Sequence, residues 1–139
     1  MTKNLIIYTD GGARGNPGPA AIGVYVVDSD GKEILRKSKQ IGEATNNIAE
    51  YRAVIEALEW IKKNFQSTSK VSDLNFQFYL DSSLVVNQLN GIFKVKQSHL
   101  RDLLLQVRKL EQEIGGKILY NFIPREKNKT ADFLVNNSF

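Results

Sequence analysis

Leu5-Ile-Ile-Tyr-Thr9-Asp10-Gly-Gly-Ala-Arg-Gly-Asn-Pro-Gly-Pro19 sets a short, nearly all-apolar run against a Gly- and Pro-rich junction, with one carboxylate at the seam. The run reads as a strand buried on both faces, hence central in its sheet. Three further carboxylates occupy the same kind of place. Glu50 follows Thr45-Asn-Asn-Ile-Ala49, Asp81 ends Phe76-Gln-Phe-Tyr-Leu80 ahead of Ser82-Ser83, and Asp132 closes Pro124-Arg-Glu-Lys-Asn-Lys-Thr-Ala131. An unpartnered carboxylate is heavily penalised in a core. Four of them at element ends call for a compensating charge, and a divalent cation supplies it for all.

Outward from the first strand, Ala20 to Val27 reads as a second strand closed by the turn signal Asp28-Ser-Asp-Gly31. Glu33 to Ile41 is a third, polar and basic enough for a sheet edge, and the tight link makes the two an antiparallel hairpin. A long helix follows over 47–64, with Val54, Leu58, Ile61 and Phe65 on one face. Leu74 to Leu80 is the fourth strand. A short helix runs from Ser82 to Leu89, capped at Ser82 or Ser83 and ending at Asn90-Gly91. An amphipathic helix spans Leu100 to Ile114 and stops at Gly115-Gly116. Lys117 to Ile123 is the fifth strand, and a last helix begins near Asn128.

The order β-β-β-α-β-α-α-β-α is an α/β fold: an antiparallel three-strand meander, then crossovers. With the first, fourth and fifth strands parallel and adjacent, Asp10 and Asp81 leave the sheet side by side at carboxyl ends, where open α/β sheets place their sites. Glu50, early in the long helix, and Asp132, early in the last one, close on the same point.

The 139 residues make a single domain, 1–139, without linker, repeat or low-complexity tract. No apolar run approaches the ~20 residues of a membrane span, and the first residues carry no secretory h-region. The absence of cysteine excludes disulfides, thiolate metal sites and a cysteine nucleophile; the expected location is the cytoplasm. Nineteen basic and fifteen acidic residues give +4, and with the four carboxylates set aside the remainder carries 19 − 11 = +8. A basic surface around an acidic pocket suits a polyanion whose phosphates meet metal ions.

Taken together, Thr9-Asp10-Gly-Gly-Ala-Arg-Gly-Asn-Pro-Gly-Pro-Ala-Ala-Ile-Gly23, Thr45-Asn-Asn-Ile-Ala-Glu50-Tyr-Arg-Ala53, Leu80-Asp81-Ser-Ser83 and Pro124-Arg-Glu-Lys-Asn-Lys-Thr-Ala-Asp132 closely resemble the type 1 ribonuclease H family. The four pieces stand in the family's order and span essentially the whole chain. The resemblance implies a ribonuclease H-like fold with a five-stranded mixed sheet. It implies an endonuclease that hydrolyses the RNA strand of RNA–DNA hybrids, leaving 5′-phosphate and 3′-hydroxyl ends; a monomer is expected, and activity on double-stranded RNA is left open. It implies two Mg²⁺ ions, or Mn²⁺ in their place, at the scissile phosphate. Asp10 would bridge both ions, Asp132 would complete the nucleophile side, and Glu50 and Asp81 the leaving-group side. These are hard oxygen ligands of the kind Mg²⁺ prefers.

In the family the Gly-rich turn and the Asn-Asn pair face the hybrid's minor groove. That makes Gly11, Gly12, Asn16, Asn46 and Asn47 the expected substrate contacts, since amides donate and accept toward a 2′-hydroxyl. Turn forming and helix capping are the alternatives for the asparagines. The glycines at 11, 12, 15 and 18 are expected to allow close approach of a ligand and positive φ. Ser83 stands where many relatives carry a substrate-contacting amide and is expected among the substrate contacts. The best-known bacterial members have a histidine ahead of the last carboxylate; here Arg125 occupies that loop, either gripping a phosphate or pairing with Glu126 or another acid. The single histidine, His99, is expected in a capping or surface role. A basic, Trp-rich protrusion of those members is replaced by Ile92-Phe-Lys-Val-Lys-Gln-Ser98. There Phe93, Lys94 and Lys96 form either a reduced grip on the hybrid or an ordinary solvated loop. Trp60 is expected in or near the core.

Overall fold

A computed structural model describes residues 3–65 and 73–139. The strands are β1 (Lys3–Ala13), β2 (Gly18–Asp28), β3 (Glu33–Ala44), β4 (Leu74–Leu80) and β5 (Lys117–Phe122). The helices are α1 (Asn46–Phe65), α2 (Ser83–Leu89), α3 (Ser98–Ile114) and α4 (Lys129–Asn137). The strands form one mixed sheet in the order β3-β2-β1-β4-β5, with β1, β4 and β5 parallel and the β1–β2–β3 meander antiparallel.

Alternation along the strands separates two faces. Leu5, Ile7, Val24, Val26, Phe76 and Phe78 are buried beneath α1, whose Val54, Leu58 and Ile61 meet them in one continuous core that also takes in Leu100, Val107 and Ile114 of α3. Trp60 is partly buried against that core and meets Phe65 edge-on, as its place on the long helix suggests. On the opposite face α4 crosses β1 and β2. It sits close because Gly23 lies beneath it, where a Cβ would collide with the Ala131 carbonyl. Gly23 pairs directly with Asp10, so this contact brings the residue after Ala131, Asp132, toward Asp10.

The element order read from the sequence is the observed one, but several bounds move. Asp10 does not end β1. The strand runs on to Ala13 because β2 continues to pair with it, from Asp10↔Gly23 through Ala13↔Ala20, whereas pairing with β4 stops at Tyr8↔Tyr79. Asp10 therefore stands where one neighbour strand leaves and the other stays. β3 extends to Ala44 by the same long-range pairing, α3 begins at Ser98, and a single 3-10 turn, Arg125–Lys127, precedes α4. No helix among the described residues is long and apolar enough to cross a membrane.

Candidate active site

Where β4 ends beside β1, one carboxylate oxygen from each of Asp10, Glu50 and Asp81 lies within 4.8 Å of the other two. Asp10 is 7% exposed and Glu50 5%. The main chain fixes this pair: Gly11 N donates to Asp10 Oδ1 at 3.0 Å and to Glu50 Oε1 at 2.9 Å. It reaches both because α1 lies directly on β1 here, and a Cβ on Gly11 would collide with the Ala49 carbonyl. Asp81 is placed by the end of β4 and steadied by Asn128, whose Nδ2 donates to Asp81 Oδ2 and to the Thr9 carbonyl, both at 3.0 Å. Ser82 caps α2 by accepting from Val85 N.

Asp132 lines the same cleft, of about 320 Å³, from the first turn of α4. It stands outside that triad, with Oδ1 3.7 Å from Arg125 Nη2 and Oδ2 3.4 Å from Asn136 Nδ2.

The electrostatics match the crowding. Burial, with the Asp81 and Asp132 charges adding to it, pushes the Asp10 carboxyl up from its ordinary 3.8 to about 6, against the opposing hydrogen bonds from Glu50 and Gly11. Burial, then the hydrogen bond and charge of Asp10, push Glu50 well above the usual carboxylate range. Glu50 Oε2 is buried without a hydrogen-bond partner among the described residues. Clustered, desolvated carboxylates of this kind need either a proton or a cation. An all-oxygen donor set with an orphaned buried oxygen suits a hard dication such as Mg²⁺ or Mn²⁺, so the residues present fit the metal that the resemblance implies.

The substrate-contact candidates divide. Asn16 Oδ1 accepts from Asn46 N at 2.9 Å and Asn46 Oδ1 accepts from Ala13 N at 2.8 Å. Because both donors are main-chain N–H groups, each carboxamide can face only one way, and both Nδ2 groups are left to donate outward. Asn46, Asn47, Gly11 and Gly12 line the carboxylate cleft. Ser82 lines it too, whereas Ser83 does not; Ser83 is exposed at the head of α2. The expectation of positive φ at the four glycines needs correction. Of the four only Gly15 has positive φ, and a Cβ at Gly18 would strike the Arg14 carbonyl much as one at Gly11 would strike Ala49. At Gly11 and Gly18 the main chain packs against main chain, whereas Gly12 has room for a Cβ.

Arg125 lines the cleft and is paired with Asp132 rather than Glu126. His99 is exposed in the first turn of α3. Phe93, Lys94 and Lys96 border a separate groove of about 560 Å³ that meets the carboxylate cleft at Asn47. Among the residues that escaped the sequence reading are Ser82, Arg14, Asn136 and Phe139, which line the cleft, and Asn128, which looked only like the start of a helix. Arg14 stacks its guanidinium 4.2 Å above the Phe139 ring, and its signal was a lone cation inside the Gly-rich turn.

Comparison with known proteins gives a consistent picture. A family model described as "Reverse transcriptase-like" matches residues 8–138. The chain is 40% identical over 135 residues to the bifunctional protein Rv2228c of Mycobacterium tuberculosis, covering 96% of this chain and 35% of that protein. It is 37% identical over 134 residues to ribonuclease HI of Halobacterium salinarum, covering 94% of this chain and 62% of that one. It thus spans about a third and under two thirds of these relatives. Among solved structures, LC11-RNase H1 in complex with an RNA/DNA hybrid superimposes with a TM-score of 0.91 at 42% identity, covering 96% of this chain and 95% of that one. With a matching family model over nearly its whole length, the same fold and this site, the chain belongs to the type 1 ribonuclease H family of hydrolases.

Proposed function

We propose that this chain, residues 1–139 acting as one domain, is an endoribonuclease that hydrolyses the RNA strand of RNA–DNA hybrids. The observation that carries the reading is the carboxylate triad, buried at Asp10 and Glu50 and drawn within 4.8 Å. A noncatalytic hybrid binder has no use for such a costly cluster. The likeness to LC11-RNase H1, solved with an RNA/DNA hybrid, supports the substrate class.

In this reading Asp10, Glu50, Asp81 and Asp132 would hold two dications, Asp10 serving both, Glu50 and Asp81 on the leaving-group side and Asp132 on the nucleophile side. Mg²⁺ is the expected metal, with Mn²⁺ as a substitute. Bound there, such ions would supply Lewis-acid activation of a water and charge neutralisation at the scissile phosphate. Water oxygen would bond to phosphorus as the bond from phosphorus to the 3′ oxygen breaks, the water giving up a proton to solvent and the 3′ oxygen taking one up from solvent, leaving a 5′-phosphate and a 3′-hydroxyl. The outward Nδ2 groups of Asn16 and Asn46, with Asn47 beside them, donate to 2′-hydroxyls in the minor groove, so RNA is recognised next to where it is cut. Arg125, able to grip phosphate but not to act as a base, stands at the rim.

End-labelled RNA–DNA, DNA–DNA and RNA–RNA duplexes, each with and without Mg²⁺, test the reading. Cleavage confined to the RNA strand of the hybrid and dependent on the metal is expected; equal cutting of all-DNA duplex would overturn it. The RNA–RNA arm decides whether double-stranded RNA is a second substrate.

A further inference from the structure

Asn128 is 1% exposed and opens α4, a position where an asparagine ordinarily turns back to cap its own helix. It makes no such cap. Its carboxamide is turned instead toward the sheet, donating through Nδ2 to the Thr9 carbonyl on β1 and to Asp81 Oδ2 at the end of β4, partners 119 and 47 residues away. Both partners are acceptors, so the amide has one orientation, with its NH₂ group between them.

We propose that Asn128 is a positioning residue for the metal centre: its amide, anchored on the Thr9 carbonyl, sets the orientation of the Asp81 carboxylate and thereby the affinity of the leaving-group-side cation. This rests on the two-metal reading of the site. With Oδ2 engaged by the amide, Asp81 keeps Oδ1 uncommitted to any other hydrogen bond among the described residues, and Asp81 cannot rotate without breaking the tether. The same amide spans the elements that carry Asp10 and Asp81 from the loop that leads into Asp132, so all three carboxylates are registered through one side chain.

A purely structural role explains this arrangement poorly. Asn128 Oδ1 and Thr9 Oγ1 are both buried without hydrogen-bond partners among the described residues. A residue kept only for stability would cap the helix or bury a methyl group. Buried polar groups without a protein partner call for an explanation, and a place in the scaffold of the carboxylate site supplies one. Groups that orient a ligating carboxylate typically change metal affinity about 10–100-fold when removed.

The test is a direct Mn²⁺ and Mg²⁺ binding titration, by calorimetry without substrate, of the wild type, Asn128→Ala, Asn128→Ser and Asp10→Asn, paired with thermal unfolding and with hydrolysis of labelled hybrid over a range of Mg²⁺. Serine is a good helix cap but too short to span Thr9 and Asp81, so it restores a structural role without restoring the tether. The expected result is metal binding at least about tenfold weaker in both Asn128 variants. The Mg²⁺ needed for half-maximal hydrolysis should rise in parallel, with KM for the hybrid at saturating Mg²⁺ unchanged. Should Asn128→Ala fail to fold, the serine variant decides. Wild-type metal affinity in a folded Asn128→Ser protein overturns the role assigned to Asn128 while leaving the two-metal reading intact. Binding isotherms that are flat in the wild type and unaltered by Asp10→Asn overturn both.

Discussion

The two halves of the carboxylate cleft are built differently. Asp10, Glu50 and Asp81 are held by strand ends, a helix pressed onto β1 and buried amide donors. Across the cleft, Arg125 and Asp132 are 81% and 34% exposed, and their ion pair spans 3.7 Å in solvent. The first half is over-determined by packing and the second is adjustable. Groups fixed in a desolvated site interact strongly and lose function steeply when changed, whereas exposed pairs are screened and lose little. This contrast predicts an order of effects, and each experiment below can break it.

The steepest loss belongs to Asp10→Asn. The amide keeps the side chain's shape and removes the charge that, in the proposed mechanism, would serve two cations, so hydrolysis should fall at least about a thousandfold, the several kcal/mol a bound dication supplies to the transition state. Fold and hybrid binding should survive, with binding still weakening as salt rises because phosphate neutralisation releases counterions. Substantial turnover by this variant, free of contaminating nuclease, would remove Asp10 from the metal site.

Gly11→Ala tests whether packing positions the rigid half. The added methyl meets main chain at Ala49 and Glu50, which cannot swing aside as a side chain could. Unfolding in urea should show a loss of about 1–3 kcal/mol, as for other overpacked sites. Turnover of the protein that remains folded should fall as well, since the same shift moves Glu50. An alanine variant as stable and active as wild type would show that α1 does not fix the cluster.

The raised Asp10 pKa, about 6 against an ordinary 3.8, carries a sign. Between those values the folded chain holds a proton that the unfolded chain has released, so with cations chelated this group's contribution to stability is lost as pH rises from about 4 through 6. Glu56, whose partners Lys39 and Lys37 outweigh burial and lower its pKa, acts in the opposite direction. The informative quantity is therefore the difference between wild type and Asp10→Asn. Thermal unfolding in chelator should show wild type losing several degrees relative to the variant across this window, and Mg²⁺ above pH 6 should restore them because it binds the folded state. Parallel pH profiles for the two proteins would place the buried charge elsewhere.

Smaller still is the effect expected at the asparagine turn, midway between the two halves: main chain locks its carbonyl oxygens, and solvent meets its NH₂ groups. Hybrids carrying a few 2′-deoxy residues in the RNA strand across the Asn16, Asn46 and Asn47 contacts should be cut about tenfold more slowly there, the value of one or two lost hydrogen bonds. Undiminished cleavage would assign RNA recognition to another surface.

The same contrast explains what could be read from the sequence. The four carboxylates, the order of elements and the central place of β1 follow from local patterns: an apolar run, a turn signal, a helical face. Long-range pairing and packing carry the remainder. Asp10 lies inside β1 because β2 continues beside it, Gly11 is small because Ala49 lies against it, and Asn128 points away from its own helix because Thr9 and Asp81 accept its protons. None of these partners adjoins in sequence, and an asparagine at a helix start has a sufficient local explanation in capping, which hid its actual contacts. Ser82 and Ser83 illustrate the limit at single-residue scale: both suit a helix start, and only the register of α2 sends the first toward the cleft.

Arg125 should produce the smallest change. Its ion pair with Asp132 is long and solvent-exposed, a kind of contact worth about 0–1 kcal/mol, so Arg125→Ala should leave folding stability nearly untouched. If the guanidinium grips phosphate during turnover, the variant should lose about threefold to tenfold in kcat or in affinity, the range of a single solvent-accessible charged contact. The pH profile discriminates further. Arginine stays protonated throughout the working range, so removing it should change the height of the profile and not its shape near pH 6–7, where a histidine would titrate. His99, exposed on α3, should be silent when replaced by alanine. A titrating step that vanishes in His99→Ala would transfer the rim's role to that side chain. A loss at Arg125 as deep as that at Asp10 would show that substrate binding makes the adjustable half as rigid as the other.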